Sequence, residues 1–245
     1  MRRAPLSADI AGRFARDALA LGEGEVCAAF RRSCYLRFPG ERYACVGDAS
    51  LGCGPLNALV AGFQPPAIGE RLRVSVAAVW QPPPLPIRLD PASLANADVP
   101  DEGLGCLLVG KHNALAAHAQ PALEALDEWL RRGLLPPVAE TLIGLGPGLT
   151  PSGDDYLGGI LVALHALARD AQAAILWRWL QPRLAAGTSA ISAAHLEAAA
   201  AGEGHEALHR VLQDPSPSAL SALDGVGHCS GWDALAGAAA VLRAS

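Results

Sequence analysis

Residues 144–159, GLGPGLTPSGDDYLGG, set glycines at 144, 146, 148, 153, 158 and 159 around two prolines, two hydroxyls and two adjacent carboxylates. An almost wholly apolar run follows. The stretch from Ser152 to Gly159 reads S-G-x-D-x-L-x-G, and Ser230 to Gly237, SGWDALAG, repeats that pattern without a gap. A serine with an aspartate three residues later is the acidic form of the capping box, in which the hydroxyl accepts a first-turn N–H and the carboxylate reaches back. Ser152 with Asp155, and Ser230 with Asp233, therefore predict two helix starts. A glycine-rich approach to a helix start also exposes N–H groups to an anion. If the two starts meet, they form a cup of donors from the backbone at Gly146, Gly148, Gly153 and Gly231. Thr150, Ser152, His228 and Ser230 then stand at its rim. With Asp155 filling the capping position, Asp154 is the surplus carboxylate. It is repelled by its neighbour unless something positive or hydrogen-donating lies between them. An amino or amide group of a substrate, a basic side chain or a divalent metal at Asp154/Asp155 would each serve.

Other residues offer weaker chemistry. His228, in the glycine-flanked GVGHC, is placed to donate to an anion or to act as acid or base near neutral pH. Cys229 beside it is either a small packing residue or a thiol whose ionisation the helix end favours. Ser189, Ser192 and His195 recur every three residues, so one helix face can carry all three near the same site, or simply pack. No G-x-S-x-G elbow exists for a covalent serine mechanism. His205 and His209 have metal-compatible spacing without a third ligand, and a solvent-facing role is their default, as for His112 and His118. The 144–155 loop lacks the Lys-Ser/Thr ending of a phosphate P-loop, and it follows a helical segment where a dinucleotide fingerprint follows a strand.

The elements that must hold these residues fall into two kinds. Residues 1–90 form a strand-rich domain. After a short amphipathic helix with Ile10, Phe14 and Leu19 inward come EVCAAF, CYLRF, YACVG, LNALV and RLRVSVAAVW, punctuated by Gly and Pro. Pro39–Gly40 marks a hairpin turn. The proline-rich QPPPLPIRLDP, residues 81–91, marks the boundary. Residues 91–245 follow the helical period. Residues 113–133 give one or two helices, with Pro121 near the start of the second and Gly133 as a stop. PVAETLIG gives a short helix, and Tyr156–Arg169, apolar all round, a central buried one. Segments 171–187, 189–204, 205–214 and 233–245 complete the half. The fold class is α+β: an antiparallel sheet or partly closed barrel, then a mostly α-helical half.

The 245 residues are half apolar and carry a formal net charge of −5, which provides no basic field for nucleic acid. The longest apolar stretch is too short for a bilayer, which takes roughly 20 residues, so no membrane partner is expected. The N-terminus is punctuated by Asp9, Arg13, Arg16 and Asp17 and does not read as a signal peptide. No cysteine pair is spaced as CxxC. Reduced thiols in a cytoplasm are expected.

Three segments, LIGLGPGLTPSGDDYLGGIL, GTSAISAAHLEAAAAGEGHE and GHCSGWDALAG, resemble in this order the signatures of a bacterial domain family of unknown function. That family includes the oxamate carbamoyltransferase subunit of anaerobic allantoin degradation. GEVCAAFRRSCYLRF and CGPLNALV look like its β-rich front half. The resemblance implies carbamoyl transfer between oxalurate and phosphate, with partner subunits. The chain has neither the Ser-Thr-Arg-Thr phosphate loop nor the parallel α/β domain of aspartate/ornithine-type carbamoyltransferases. The combined expectation is an enzyme or enzyme subunit acting on a small anionic carbamoyl or amide compound. Asp154, Asp155 and His228 would be catalytic. Gly146, Gly148, Thr150, Ser152, Gly153, Ser189, Ser192, Ser230, Gly231 and Asp233 would bind a phosphate or small carboxylate. The alternatives are a non-catalytic metabolite-binding or scaffold subunit, and a packing protein whose two serines lie far apart.

Overall fold

Short strands punctuated by Gly and Pro need partners from distant parts of the chain, and the first third of the sequence meets that need in one mixed sheet. The computed structural model describes residues 5–84, 86–132 and 140–245. The chain divides into two compact units, Met1–Pro83 and Pro84–Ser245. In the first, the strands are β1 (Leu6–Ala8), β2 (Ile10–Gly12), β3 (Glu23–Ala29), β4 (Ser33–Phe38), β5 (Arg42–Gly47), β6 (Asn57–Leu59), β7 (Arg71–Val76) and β8 (Val79–Trp80). Their order across the sheet is β1-β7-β3-β4-β5-β6-β2-β8.

That order dictates curvature. β1 and β2 are separated in the chain by Asp9 alone, yet they stand six strand spacings apart. At about 4.8 Å per spacing, a flat sheet would put them roughly 29 Å from each other. One residue spans at most about 3.6 Å, so the sheet must curl until its ends approach. β7 and β8, two residues apart in the chain, impose the same condition. The expected partly closed barrel is present, and its pairing is mixed. β3–β4, β4–β5, β3–β7 and β2–β6 are antiparallel, while β1–β7, β2–β8 and β5–β6 run parallel. The hairpin at Pro39–Gly40 is there, with Gly40 and Glu41 both at positive φ.

One expectation is corrected. Ile10 pairs with Leu59 in β2, so it is not part of the first helix. That helix, α1 (Arg13–Leu19), buries Ala15, Ala18 and Leu19 against Val26, Leu36, Val46, Leu72 and Val74. Phe14 is only half-buried, with the Arg13 guanidinium 4.6 Å above its ring. Three-residue strands carry too little period to be told from the start of a helix.

The second unit is built around two helices, α3 (Ser152–Ala166) and α8 (Ser230–Arg243). Around them lie α2 (Ala114–Arg132), α4 (Asp170–Gly187), α5 (Ala190–Ala199), α6 (Glu206–Gln213) and the short α7 (Pro217–Ser221). Leu157, Ile160, Leu161 and Leu164 of α3 are wholly buried, as the apolar run predicts. α2 is one continuous helix through Pro121. Proline removes an internal N–H; here it stands on the exposed side, opposite buried Ala119, Leu123, Leu126 and Leu130. Gly133 and the first three residues of PVAETLIG lie outside the described residues. The remainder makes a 3-10 turn at Glu140–Leu142. Among the described residues, no helix is long and apolar enough to cross a membrane.

Candidate functional site

The two S-G-x-D-x-L-x-G copies become the first turns of α3 and α8, and the helices cross at those turns. Packing there is reciprocal. A Cβ added to Gly159 would lie 1.8 Å from the carbonyl oxygen of Ala234, and one added to Gly237 would lie 1.9 Å from that of Tyr156. Gly159 corresponds to Gly237 in the repeat, and Tyr156 to Ala234. Each helix thus places its glycine on the backbone that its counterpart places beneath the other. The approaches match as well. Gly153 donates to the Leu145 carbonyl and Gly231 to the Val226 carbonyl. Each acceptor is followed by a glycine at positive φ, Gly146 (112°) and Gly227 (62°), whose backbone lies against Ser152 and Ser230 respectively. The repeat is a local two-fold in three dimensions.

This arrangement overturns the capping boxes. The N-caps are Pro151 and Cys229, neither helix has a side-chain cap, and both serines are already helical. A residue inside the first turn cannot turn its hydroxyl back onto that turn's N–H groups, because capping needs the extended backbone of the preceding position. The hydroxyls point across the two-fold instead. Ser152 and Cys229 face the Asp233 carboxyl, whereas Ser230 and Thr150 face Asp155. Thr150 Oγ1 and Ser230 Oγ are 3.1 Å apart, and Ser152 Oγ is 3.7 Å from Cys229 Sγ. The two helix starts therefore meet, and the reading in which they lie far apart fails.

The three aspartates have different fates. Asp154, 2 % exposed, is fully engaged by the protein. Its Oδ1 accepts from the Gly144 N–H at 2.9 Å, and its Oδ2 accepts from the hydroxyls of Thr188 and, at 2.7 Å, Ser192. It ties the glycine loop to the start of α5 and is not the surplus carboxylate that the capping argument predicts. Asp233 is wholly buried. Its Oδ1 accepts from the N–H groups of Leu104 at 2.6 Å and Gly105 at 2.9 Å, at the start of a 3-10 turn over Gly105–Val109. Gly103 is required beside it, since a Cβ there would lie 2.5 Å from that oxygen. Asp155 is half-buried and accepts no backbone N–H. Oδ2 of Asp155 and Oδ2 of Asp233 are both buried without a hydrogen-bond partner.

Electrostatics separate them further. Burial raises the pKa of all three above the ordinary carboxylate range. Asp155 is raised most decisively: desolvation leads, and the nearby Asp233 and Asp154 charges add to it. The Cys229 thiol is pushed up to about 12 by burial and then by Asp233. A thiol raised that far, with burial as the leading cause, is protonated at neutral pH and supplies no thiolate.

The remaining candidates separate into neighbours and outliers. Gly148 is exposed, with positive φ and open space about it. The Gly153 and Gly231 backbones press on the carbonyls of Leu142 and Leu223. Ser189 is the N-cap of α5; it accepts from Ser192 N–H and donates to Leu149 O at 2.6 Å. Ser192 donates its hydroxyl to Asp154 at 2.7 Å. His228 is exposed and bonds Glu102, also exposed, at 2.6 Å. His209 is buried, with Nε2 accepting from the Gly204 N–H at 3.0 Å, so it does not face solvent as expected. Asp154 turns both oxygens to protein donors, and among the described residues no group of three or more His, Cys, Asp or Glu is placed to hold a metal ion. Sequence reasoning missed the anchoring of Asp233 on Leu104 and Gly105, because nothing local in DEGLGCLLVG signals a partner 129 residues away.

No curated protein and no solved structure matches the chain. Residues 142–242, which contain both helix starts, all of α5 and the glycine approach, match the family described as oxamate carbamoyltransferase subunit AllH.

Proposed function

We propose that the chain is a subunit of a carbamoyl-transferring enzyme, and that the paired starts of α3 and α8 hold a small anionic carbamoyl or amide compound. The observation that carries this reading is the meeting of the two starts inside the segment that the family match covers. Packing alone explains Gly159, Gly237 and Asp154. It leaves Oδ2 of Asp155 and Oδ2 of Asp233 buried without a hydrogen-bond partner, and such atoms call for an explanation, of which a ligand-binding role is one. Helix starts favour a phosphate or carboxylate, while Thr150, Ser152 and Ser230 add hydroxyl donors. A carboxyl pair supplies what an amide or ureido group needs.

The test is a thermal-shift panel with phosphate, carbamoyl phosphate, oxamate and oxalurate. A selective ligand at 100 times its Kd stabilises by about 2.7 kcal/mol; no shift from any of the four counts against the site. The family match is to a subunit, so turnover should require partner subunits. A second reading, a non-catalytic metabolite-binding subunit, rests on that same word. It predicts that Ser230→Ala weakens ligand binding while leaving kcat of the assembled enzyme unchanged.

A further inference from the structure

The local two-fold makes Asp155 and Asp233 equivalent by position, but their surroundings do not match. Asp233 takes two backbone N–H groups at 2.6 and 2.9 Å, at the start of a 3-10 turn, where an anion is favoured. It is wholly buried, and the approach of Gly103 fixes its carboxyl. Asp155 receives no backbone N–H; only the hydroxyls of Ser230 and Thr150 face it, and a hydroxyl can accept as readily as donate. The charged groups bearing on it are Asp233 and Asp154, both acidic, and the neighbouring thiol of Cys229 is neutral at pH 7. Asp155 also retains partial exposure, which Asp233 lacks.

We propose that the pair is split into a buried anion, Asp233, which holds the frame, and a neutral carboxylic acid, Asp155, which donates its proton in a hydrogen bond to a carbonyl or carboxylate oxygen of the ligand. This rests on the reading of the helix starts as the ligand site, and it answers a difficulty in that reading. Carboxylates crowd a place that should attract anions. A neutral acid at Asp155 takes away one of those charges and contributes a donor. The substrate class follows: a small planar compound that presents an acceptor oxygen to Asp155, such as an oxamate-like carboxylate or the carbonyl of a carbamoyl group. No bond is made or broken in this step, and the proton remains shared between Asp155 and the ligand oxygen.

Two measurements decide it. Infrared difference spectra, wild type minus Asp155→Asn, should contain the stretch of a protonated carboxylic acid at pH 7 without any ligand. Absence of that band overturns the charge assignment, and the difference wild type minus Asp155→Ala gives the same decision if Asp155→Asn does not fold. Calorimetric titration with oxamate should then find Asp155→Asn, which keeps a neutral donor, within about threefold of wild type, and Asp155→Ala weaker by about tenfold or more. Loss of binding in Asp155→Asn overturns the donor role. If the infrared band is present and oxamate, oxalurate, phosphate and carbamoyl phosphate all fail to bind wild type, the ligand-site reading fails with the charge assignment intact.

Discussion

Gly158 and Gly159 are adjacent in α3, and the structure assigns their alanine variants opposite signs. At Gly158 a new Cβ would meet the Ala199 Cβ at 3.7 Å and the Leu196 side chain at 3.9 Å, which is ordinary contact. Replacing a helical glycine by alanine there should stabilise by about 0.5–1 kcal/mol. At Gly159 the Cβ would lie 1.8 Å from a backbone carbonyl oxygen, so α3 and α8 must part by at least about 1.2 Å. Overpacking of this kind costs roughly 1–3 kcal/mol and sometimes more. The obstacle is backbone and cannot swing aside, so the upper end applies, and the propensity gain of about 1 kcal/mol offsets only part. For a unit of this size, each kcal/mol moves Tm by about 2–4 °C. Gly159→Ala should therefore lower Tm by about 4–8 °C, while Gly158→Ala raises it by a few degrees.

The reciprocal packing adds a sharper expectation. Gly237→Ala demands the same separation of the same two helices, since its Cβ would meet Tyr156 O at 1.9 Å. One displacement relieves both clashes. The Gly159→Ala/Gly237→Ala double variant should then be less destabilised than the sum of the singles, by about 1 kcal/mol or more. Chemical denaturation of the four proteins reads this coupling directly. Additive losses would mean that the clashes are relieved separately, and the two-fold argument would be wrong.

Three further outcomes are expected. In double-mutant cycles, Ser152→Ala should couple to Asp233→Asn and Ser230→Ala to Asp155→Asn, by about 0.5–3 kcal/mol each; coupling within Ser152/Asp155 would restore the capping boxes. Asp154→Asn should destabilise by about 1.5–3 kcal/mol, since the bonds from Gly144, Thr188 and Ser192 lose the carboxylate as acceptor and one carboxylate oxygen gives way to an amide nitrogen, and an unchanged denaturation midpoint would sink this assignment. His209 accepts from Gly204 only while neutral, and burial lowers its pKa to about 4. A depressed folded-state pKa gives stability that is fully present above the unfolded value of about 6.5 and is lost as pH falls toward 4. His209→Gln should flatten the fall in Tm between pH 6.5 and 4, and an unchanged slope would show that His209 is not its source.

Helix positions were legible because the apolar run after Asp155 and the period of α2 and α4 are properties of the local sequence. The five segments that hold β3 to β8 were legible for the same reason. The strands at Leu6–Gly12 were not, because what defines them is pairing with β7, β6 and β8, at least 45 residues further along the chain. The site divides in the same way. Ser152, Asp155, Ser230 and Asp233 were legible as special, and the repeat was visible as a repeat. Who bonds whom was not: the capping argument joins Ser152 to Asp155 within one turn, whereas the fold joins it to Asp233. Asp154 was misread for a related reason. Its partners Thr188 and Ser192 are 34 and 38 residues away, and no local pattern announces a carboxylate satisfied at that distance.

The same comparison explains why the repeat need not behave as two equal halves. Between the positive-φ glycine and the helical serine, the first copy has five residues and the second has two, His228 and Cys229. The longer loop supplies Thr150, whose hydroxyl lies 3.1 Å from Ser230 on Asp155's side of the two-fold. The shorter loop leaves Cys229 against Asp233, where the Leu104 and Gly105 N–H groups also converge. Shared glycines and leucines fix the crossing of the helices, and the unequal loops decide how each carboxyl is solvated. A symmetric scaffold with asymmetric loops can hold one proton on a definite side. If the extra residues of the first loop are what set this, removing the Thr150 hydroxyl by Thr150→Val should raise the Asp155 pKa further, because that hydroxyl lowers it. The infrared band of the neutral acid should then persist to higher pH. A shift in the opposite direction would show that the loop does not act on Asp155 through Thr150.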